Sequence, residues 1–271
     1  MAYYGIDVSY HEGEIDWTRA AAGCPRFCFV RAGYNNQNGS VTVDARFAEN
    51  TEGSIEAGLD TGLYLYSYAR TTEASRASAL RFIEMARGYE LTMPLVLDLE
   101  DVNVYQPLGR EQTTRVAAVF LETLEEAGYY AMLYSNTYFA NHYIDMSQLS
   151  AYDFWVADYT DWLSYTGPYG IWQYTDRGVI DGIEDRVDLN ITSKDYPSII
   201  RRAGLNHLPG GNIKTGSRVC IRSCASVYAR TGEAIPSSAK QRPYTVGCIR
   251  SSAAYLCGLK QWVYLRDLTL K

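Results

Sequence analysis

Pro94-Leu95-Val96-Leu97-Asp98-Leu99-Glu100-Asp101 is an apolar run that turns acidic at its C-terminal end. Successive side chains of a strand point to opposite faces, so Asp98 and Glu100 share one face while Leu97 and Leu99 take the other. That spacing sets the two carboxyls about 6.5 Å apart along a strand, where like charge and partial burial keep one of them protonated. Two more apolar stretches carry an acid in the same way, Gly5-Ile6-Asp7-Val8-Ser9 and Arg186-Val187-Asp188-Leu189-Asn190. Acids at strand ends also simply meet solvent or pair with loop arginines. If the strands close into a barrel, however, these three sites meet at its mouth, where catalytic side chains gather in parallel barrels.

Eight β-rich runs supply such a barrel: Tyr3–Val8, Phe27–Ala32, Thr61–Tyr68, Pro94–Leu99, Tyr129–Tyr134, Asp153–Ala157, Gly170–Tyr174 and Arg186–Leu189. Between them, 72–87 places Ala77, Leu80, Phe82 and Ile83 on a helical face and stops at Gly88, while 110–127 spaces Val116, Phe120 and Leu124 four apart before Gly128. Alternation of strand and helix predicts an α/β fold with parallel strands. The connections around residues 136–180 look short and aromatic. The expected architecture is therefore an irregular β/α barrel of about eight strands, with helices missing from the last third.

Charge divides the chain. Residues 1–209 hold 15 Lys and Arg against 29 Asp and Glu, and residues 210–271 hold 10 against 2. The sign flips in Gly204-Leu205-Asn206-His207-Leu208-Pro209-Gly210-Gly211-Asn212, whose Gly, Pro and Asn content reads as a linker. Three segments follow: a domain over 1–203, a linker over 204–212, and a small all-β barrel over 213–271. Short strand patterns at Arg218–Arg222, Tyr244–Arg250 and Gln261–Leu265 support the last. A basic module suits a polyanion such as an anionic wall polymer. The N-terminus shows no basic stretch followed by an apolar one, so a cytoplasmic product without a signal peptide is expected. No apolar run is long enough to span a membrane, so no membrane insertion is expected. The six cysteines, at 24, 28, 220, 224, 248 and 257, are read as free thiols.

Tyr4-Gly5-Ile6-Asp7-Val8-Ser9, Gly13-Glu14-Ile15-Asp16-Trp17, Phe29-Val30-Arg31-Ala32-Gly33-Tyr34, Asp98-Leu99-Glu100 and Ile171-Trp172-Gln173-Tyr174 resemble, in order, the motifs of glycoside hydrolase family 25. The resemblance covers roughly residues 3–195. It implies a muramidase of the phage-endolysin or autolysin kind, released to act on the bacterial cell wall and phage or prophage encoded. It implies an irregular barrel of five β/α units followed mostly by strands. Glu100 is then the general acid, Asp98 its electrostatic partner, and Asp7 and Asp188 shape the site. Glu12 stands where relatives often have Gln. The tail resembles the Src-homology-3-like modules of endolysins through Trp262-Val263-Tyr264-Leu265-Arg266-Asp267-Leu268.

Aromatic composition fits a sugar substrate, since 24 of the 36 aromatic residues are tyrosines, whose rings stack on sugars while their hydroxyls stay wet. Tyr66 and Tyr34 are the expected substrate contacts, followed by Tyr134, Trp155 and Gln173 at matching strand ends. Packing inside the barrel is the competing role for each. Cleavage needs an acid for the glycosidic oxygen and a stabiliser of the oxocarbenium-like centre, a carboxylate or the substrate's own acetamido group; the stereochemistry stays open. No metal or cofactor is expected: the three histidines, His11, His142 and His207, lack paired metal-ligand spacing. Two other classes remain, a metal-dependent phosphodiesterase on an acidic mouth and a non-catalytic glycan-binding protein. The tail lacks a nucleic-acid motif, and the oligomeric state is not legible.

Overall fold

In the computed structural model, which describes residues 2–23, 25–208, 213–222, 225, 227–250 and 253–271, eight strands close into a barrel. These are β1 (Tyr3–Val8), β2 (Phe27–Asn35), β4 (Asp60–Tyr66), β5 (Leu95–Asp98), β6 (Ala131–Asn136), β7 (Asp153–Ala157), β8 (Ile171–Gly178) and β9 (Val187–Thr192), with β3 (Val41–Val43) hanging on β2 as a hairpin. Closure comes from β1, which bonds both β2 and β9. Neighbours from β1 through β2 to β8 are parallel, and β9 alone runs antiparallel to both β8 and β1.

All eight expected strands are present, and the five β/α units follow from the first five barrel strands. Helices α1 (Trp17–Ala22), α2 (Phe47–Glu56), α3 (Thr72–Ala86), the short α4 (Val102–Tyr105) with α5 (Gly109–Glu126), and α6 (Thr137–Tyr143) succeed β1, β2 with its hairpin, β4, β5 and β6. Their starts are chemically marked: Asp16, Thr71, Asp101 and Asn136 each accept a backbone N–H of the first turn. The two helices read from periodicity lie within a residue of their expected ends. Helix α6 corrects the expectation that 136–180 is helix-free; the Asn136 cap and the buried Phe139 and Ala140 make one short helix there. Helix α2 was not foreseen because, beyond Phe47, its fully buried residues are the polar Asn50, Thr51 and Ser54, which break the apolar stripe.

Strand alternation separates two environments. Leu63, Leu65, Leu95, Leu97 and Leu99 join one core with Phe82 and Ile83 of α3 and Val116, Phe120 and Leu124 of α5. The alternate residues face into the barrel, where Phe29 stacks on Trp155 at 4.5 Å between centroids and Tyr64 and Tyr134 meet the same indole edge-on. Gly62 makes room for that filling, since a Cβ there would stand 2.5 Å from the Phe29 ring and 2.7 Å from the Pro94 carbonyl.

The chain's contacts divide at Tyr196–Pro197 into two compact units. Helix α7 (Tyr196–Ala203) spans that point, and Arg222 donates to the carbonyls of Gly204 (3.5 Å) and Leu208 (3.1 Å), so this part of the expected linker is an ordered turn. Pro209 through Asn212 lie outside the described residues, as do Cys24 and Cys224. The second unit is a curled antiparallel sheet in the order β13-β12-β11-β10-β14: β10 (Arg218–Ile221), β11 (Pro243–Arg250), β12 (Ala253–Cys257), β13 (Gln261–Tyr264) and β14 (Leu268–Leu270). Strands β12 and β14 add to the three expected. Tyr228 and Tyr244 belong to its small core, whereas Tyr255 and Trp262 remain partly exposed, with Arg230 lying 3.9 Å over the Trp262 ring. No helix among the described residues is long and apolar enough to cross a membrane.

Phe82 and Phe120 are fully buried at 6.1 Å between ring centroids, joining α3 to α5. Phe82→Ala is expected to destabilise the barrel unit by about 3–5 kcal/mol, measured by denaturant titration; a loss below about 1 kcal/mol would show that this helix contact is not structural.

Candidate active site

Asp7, near the end of β1, is paired directly with Asp188 in β9. The sequence suggested that Asp188 closes its strand; instead it is the second residue of an antiparallel one. Reversal of β9 is what brings the start of that strand to the rim where parallel β1 ends. Asp98 is the last residue of β5, flanked in register by Tyr66 of β4 and Tyr134 of β6, and Glu100 follows two residues later. Asp7, Asp98, Glu100 and Asp188 thus line one cavity of about 190 Å³, together with Glu12, Arg31, Tyr64, Tyr66, Tyr134 and Trp155.

Asp7, Asp98, Glu100 and Asp188, crowded into one small cavity with Glu12, do not all ionise together. Asp7 and Asp98 are 7% and 4% exposed, and burial is the main reason each is hard to deprotonate. Asp7 is raised to about 6 by burial, against which Asn190 and Gln173 donate to its Oδ2 at 2.7 and 2.9 Å. Asp98 is pushed well above the usual carboxylate range by burial and by the charges of Glu100 and Asp7, with Arg31 opposing them. Its Oδ1 is buried without a hydrogen-bond partner, an arrangement that stabilises the protonated form or awaits a donor from outside. Glu100, raised to about 7 by burial, is held by the Asn136 side chain. Asp188 rises to about 8 through burial and the neighbouring charges of Asp7 and Glu12.

The other expected contacts are placed unevenly. Tyr66 lines the cavity, its ring 5.0 Å from that of Tyr68, which in turn meets Tyr34 edge-on at 6.0 Å. Tyr34 therefore lies off the cavity, exposed at the outer end of this aromatic run. Trp155 is 1% exposed and forms the floor, its Nε1 donating to Asn190 Oδ1 at 2.8 Å. Tyr134 and Gln173 are buried and bonded to one another at 2.8 Å. Arg31, held by Asp44 at 2.7 Å, is the cation among the lining residues, and Glu12 is fixed by the Ser9 backbone N–H at 2.6 Å.

Sequence reasoning missed Asn136, Asn190 and Tyr159. The first two had a usable signal: each stands two residues past an expected site residue and so faces the same way. Tyr159 had none, because its loop lacks periodicity. Among the described residues, no group of three or more His, Cys, Asp or Glu is arranged to hold a metal ion, and Cys28, Cys248 and Cys257 are free thiols.

A carboxyl group that burial raises to about 7, beside a more deeply buried acid at the mouth of a β/α barrel, is an arrangement suited to glycoside hydrolysis. Residues 6–183 match the model of glycosyl hydrolases family 25, and the chain belongs to that family. It is 29% identical over 200 residues to the uncharacterized protein YegX of Escherichia coli K12, covering 69% of this chain and 68% of that one. The modular autolysin LytC of Streptococcus pneumoniae, also solved with a synthetic peptidoglycan ligand, is similar at 27% identity and a TM-score of 0.63. That match covers 70% of this chain but only 46% of LytC, so the chain spans about half the length of that relative. A family 25 glycosyl hydrolase from Bacillus anthracis is 26% identical with a TM-score of 0.63, over 73% of this chain and 92% of that one.

The raised acids set a pH signature. A carboxyl whose folded pKa exceeds its unfolded value stabilises the fold at low pH, and that contribution is lost as pH rises through the folded pKa. With Asp7, Glu100 and Asp188 at about 6, 7 and 8, melting temperature is expected to fall between about pH 4 and pH 8. Asp188→Asn, the group raised furthest of the three, should flatten that slope in calorimetric scans; an unchanged slope would mean that Asp188 titrates normally.

Proposed function

We propose that the protein is an N-acetylmuramidase, hydrolysing the β-1,4 bond between N-acetylmuramic acid and N-acetylglucosamine in peptidoglycan. The observation that carries this reading is Glu100: half-buried at the rim, raised to about 7, and backed by the more deeply buried Asp98. An acid poised near neutral pH combines a large protonated fraction with a strong tendency to give the proton up. Glu100 donates its proton to the glycosidic oxygen as the bond to the anomeric carbon breaks, and water then adds its hydroxyl to that carbon, directly or after the substrate's acetamido group has captured it, returning a proton to the Glu100 carboxylate. Asp98 stabilises the positive charge developing there in its ionised form, which Arg31 favours and the emerging cation favours further, and Asp7 with Asp188 orients the sugar over the cavity.

Tyr66, with the Tyr68 and Tyr34 rings beyond it, offers stacking surfaces leading outward from the acids, and Trp162, 75% exposed in the loop after β7, offers another. Family membership and the likeness to an autolysin support a wall glycan as the substrate. The second unit suits an anionic wall polymer, through its excess of basic residues and the Arg230–Trp262 face. Domain roles follow: catalysis over 1–203 and wall binding over 213–271.

Digestion of purified peptidoglycan is expected to yield new muramic-acid reducing ends by mass spectrometry, and free amines without reducing sugar would refute the reading. Glu100→Gln removes the transferable proton while keeping shape, so turnover should fall by about 10²–10⁴-fold with binding retained. Wild-type activity should decline as pH rises past the Glu100 value of about 7, because the acid form is then depleted.

Binding of the whole chain to cell walls should weaken with salt, as the Debye length contracts from about 10 Å at 0.1 M to about 3 Å at 1 M. Sedimentation of the protein with walls measures it. Binding that persists undiminished in 1 M salt would mean that stacking on a specific sugar, not charge, holds the module.

A further inference from the structure

Gln173 is 1% exposed, at the meeting point of four elements. Its Nε2 donates to Asp7 Oδ2 on β1 at 2.9 Å and to Asp188 Oδ2 on β9 at 3.0 Å. Its Oε1 accepts from the Tyr134 hydroxyl on β6 and from the Tyr159 hydroxyl in the loop after β7, both at 2.8 Å. A glutamine amide has two N–H donors and two acceptor lone pairs, and all four are used. The amide orientation is fixed by its surroundings, because the flipped form would turn its oxygen toward two carboxyls and its N–H groups toward hydroxyls. Asn190 repeats the device, donating to Asp7 Oδ2 at 2.7 Å while accepting from Trp155 at 2.8 Å.

We propose that Gln173 is a positioning residue: it fixes the facing carboxyls of Asp7 and Asp188 relative to each other and makes no contact with substrate. The proposal rests on the muramidase reading for its consequence in turnover, not for its geometry. A sugar hydroxyl reaching Gln173, itself 1% exposed, would have to break one of its four hydrogen bonds and leave a buried group unpaired. The amide instead holds one oxygen of each acid, and it ties the half-exposed Tyr159 of the mouth loop to the same point. Other groups facing the pair are Glu12 from the turn after β1, Cys28 of β2, Tyr64 of β4, Asp98 and Glu100 at the end of β5, and Asp176 of β8.

Two substitutions of similar size test this in the full chain. Gln173→Met removes every hydrogen bond, and Gln173→Glu, when protonated, returns one of the two lost donors. At neutral pH both should lower kcat on a soluble glycan by about tenfold or more while KM stays within about twofold, the signature of lost transition-state positioning. The ratio of Gln173→Glu to wild-type kcat should climb as pH falls, whereas the ratio for Gln173→Met stays flat. A KM rise of about fivefold with kcat intact would make Gln173 a substrate contact and overturn the proposal. Should Gln173→Met fail to fold, a pH-independent ratio for Gln173→Glu overturns it equally. Independently of turnover, the Asp7 carboxyl followed by ¹³C NMR should titrate at higher pH in Gln173→Met, since a donor to its ionised form is gone; no shift refutes the clamp. A wild type that cleaves no glycan would count against the muramidase reading alone.

Discussion

The withdrawal of four carboxyl groups from water at one barrel mouth is the constraint that the remaining architecture answers. Ionised carboxylates in so small a space repel one another and lose hydration, so the cavity retains protons that free side chains would release. The surroundings set how many. Arg31 favours ionisation at Asp98, Gln173 and Asn190 favour it at Asp7, and Asn136 favours it at Glu100. Amides suit this task because they bring donors without adding charge, and their oxygens are satisfied in turn by Tyr134, Tyr159 and Trp155. The result is a site in which acid strength varies over a short distance within a single cluster.

Such a cluster is destabilising, and the fold absorbs it by separating two kinds of interior. Outside the strands, the leucines of β4 and β5 and the inner faces of α3 and α5 make an apolar core of ordinary composition. Inside, the filling is aromatic at the floor and titratable at the rim. A single strand can serve both because its side chains alternate, so β5 contributes Leu95 and Leu97 to one region and Asp98 to the other. The irregular closure matters equally. A parallel β9 would have placed Asp188 at the opposite end of the barrel; the antiparallel strand sets it directly against Asp7.

The two units differ in electrostatic character as sharply as in size. The barrel carries an excess of acidic residues and the small sheet an excess of basic ones, so under the proposed reading the sheet would supply the attraction to an anionic wall that the barrel lacks. The small sheet keeps Tyr228 and Tyr244 for its own core, leaving Trp262 and Tyr255 as its partly exposed aromatic surface. Part of the sequence between the charge blocks is ordered by Arg222, which crosses back to the carbonyls of Gly204 and Leu208. Glycine-rich composition alone would have made that turn a free tether.

Much of this was written in local sequence. Alternation and length marked all eight barrel strands, helical spacing marked α3 and α5, and the acid-tipped strands marked the residues that line the mouth, because each pattern is enforced by a period of two or of 3.6 residues along the chain. Charge counting marked a basic C-terminal segment in the same way, since net charge is a sum over neighbours. Helix α2 escaped because most of its buried face is polar, with Asn50, Thr51 and Ser54 beside Phe47, and Tyr159 escaped because a loop carries no period. Nothing in the local sequence distinguishes a glutamine that touches sugar from one whose four hydrogen bonds are spent on residues up to 166 positions away. The direction of β9, the burial of Trp155, the distance of Tyr34 from the cavity and the unequal acidities of four similar carboxyls were decided only when the barrel closed, because each depends on which distant groups share its space and how much water is left between them.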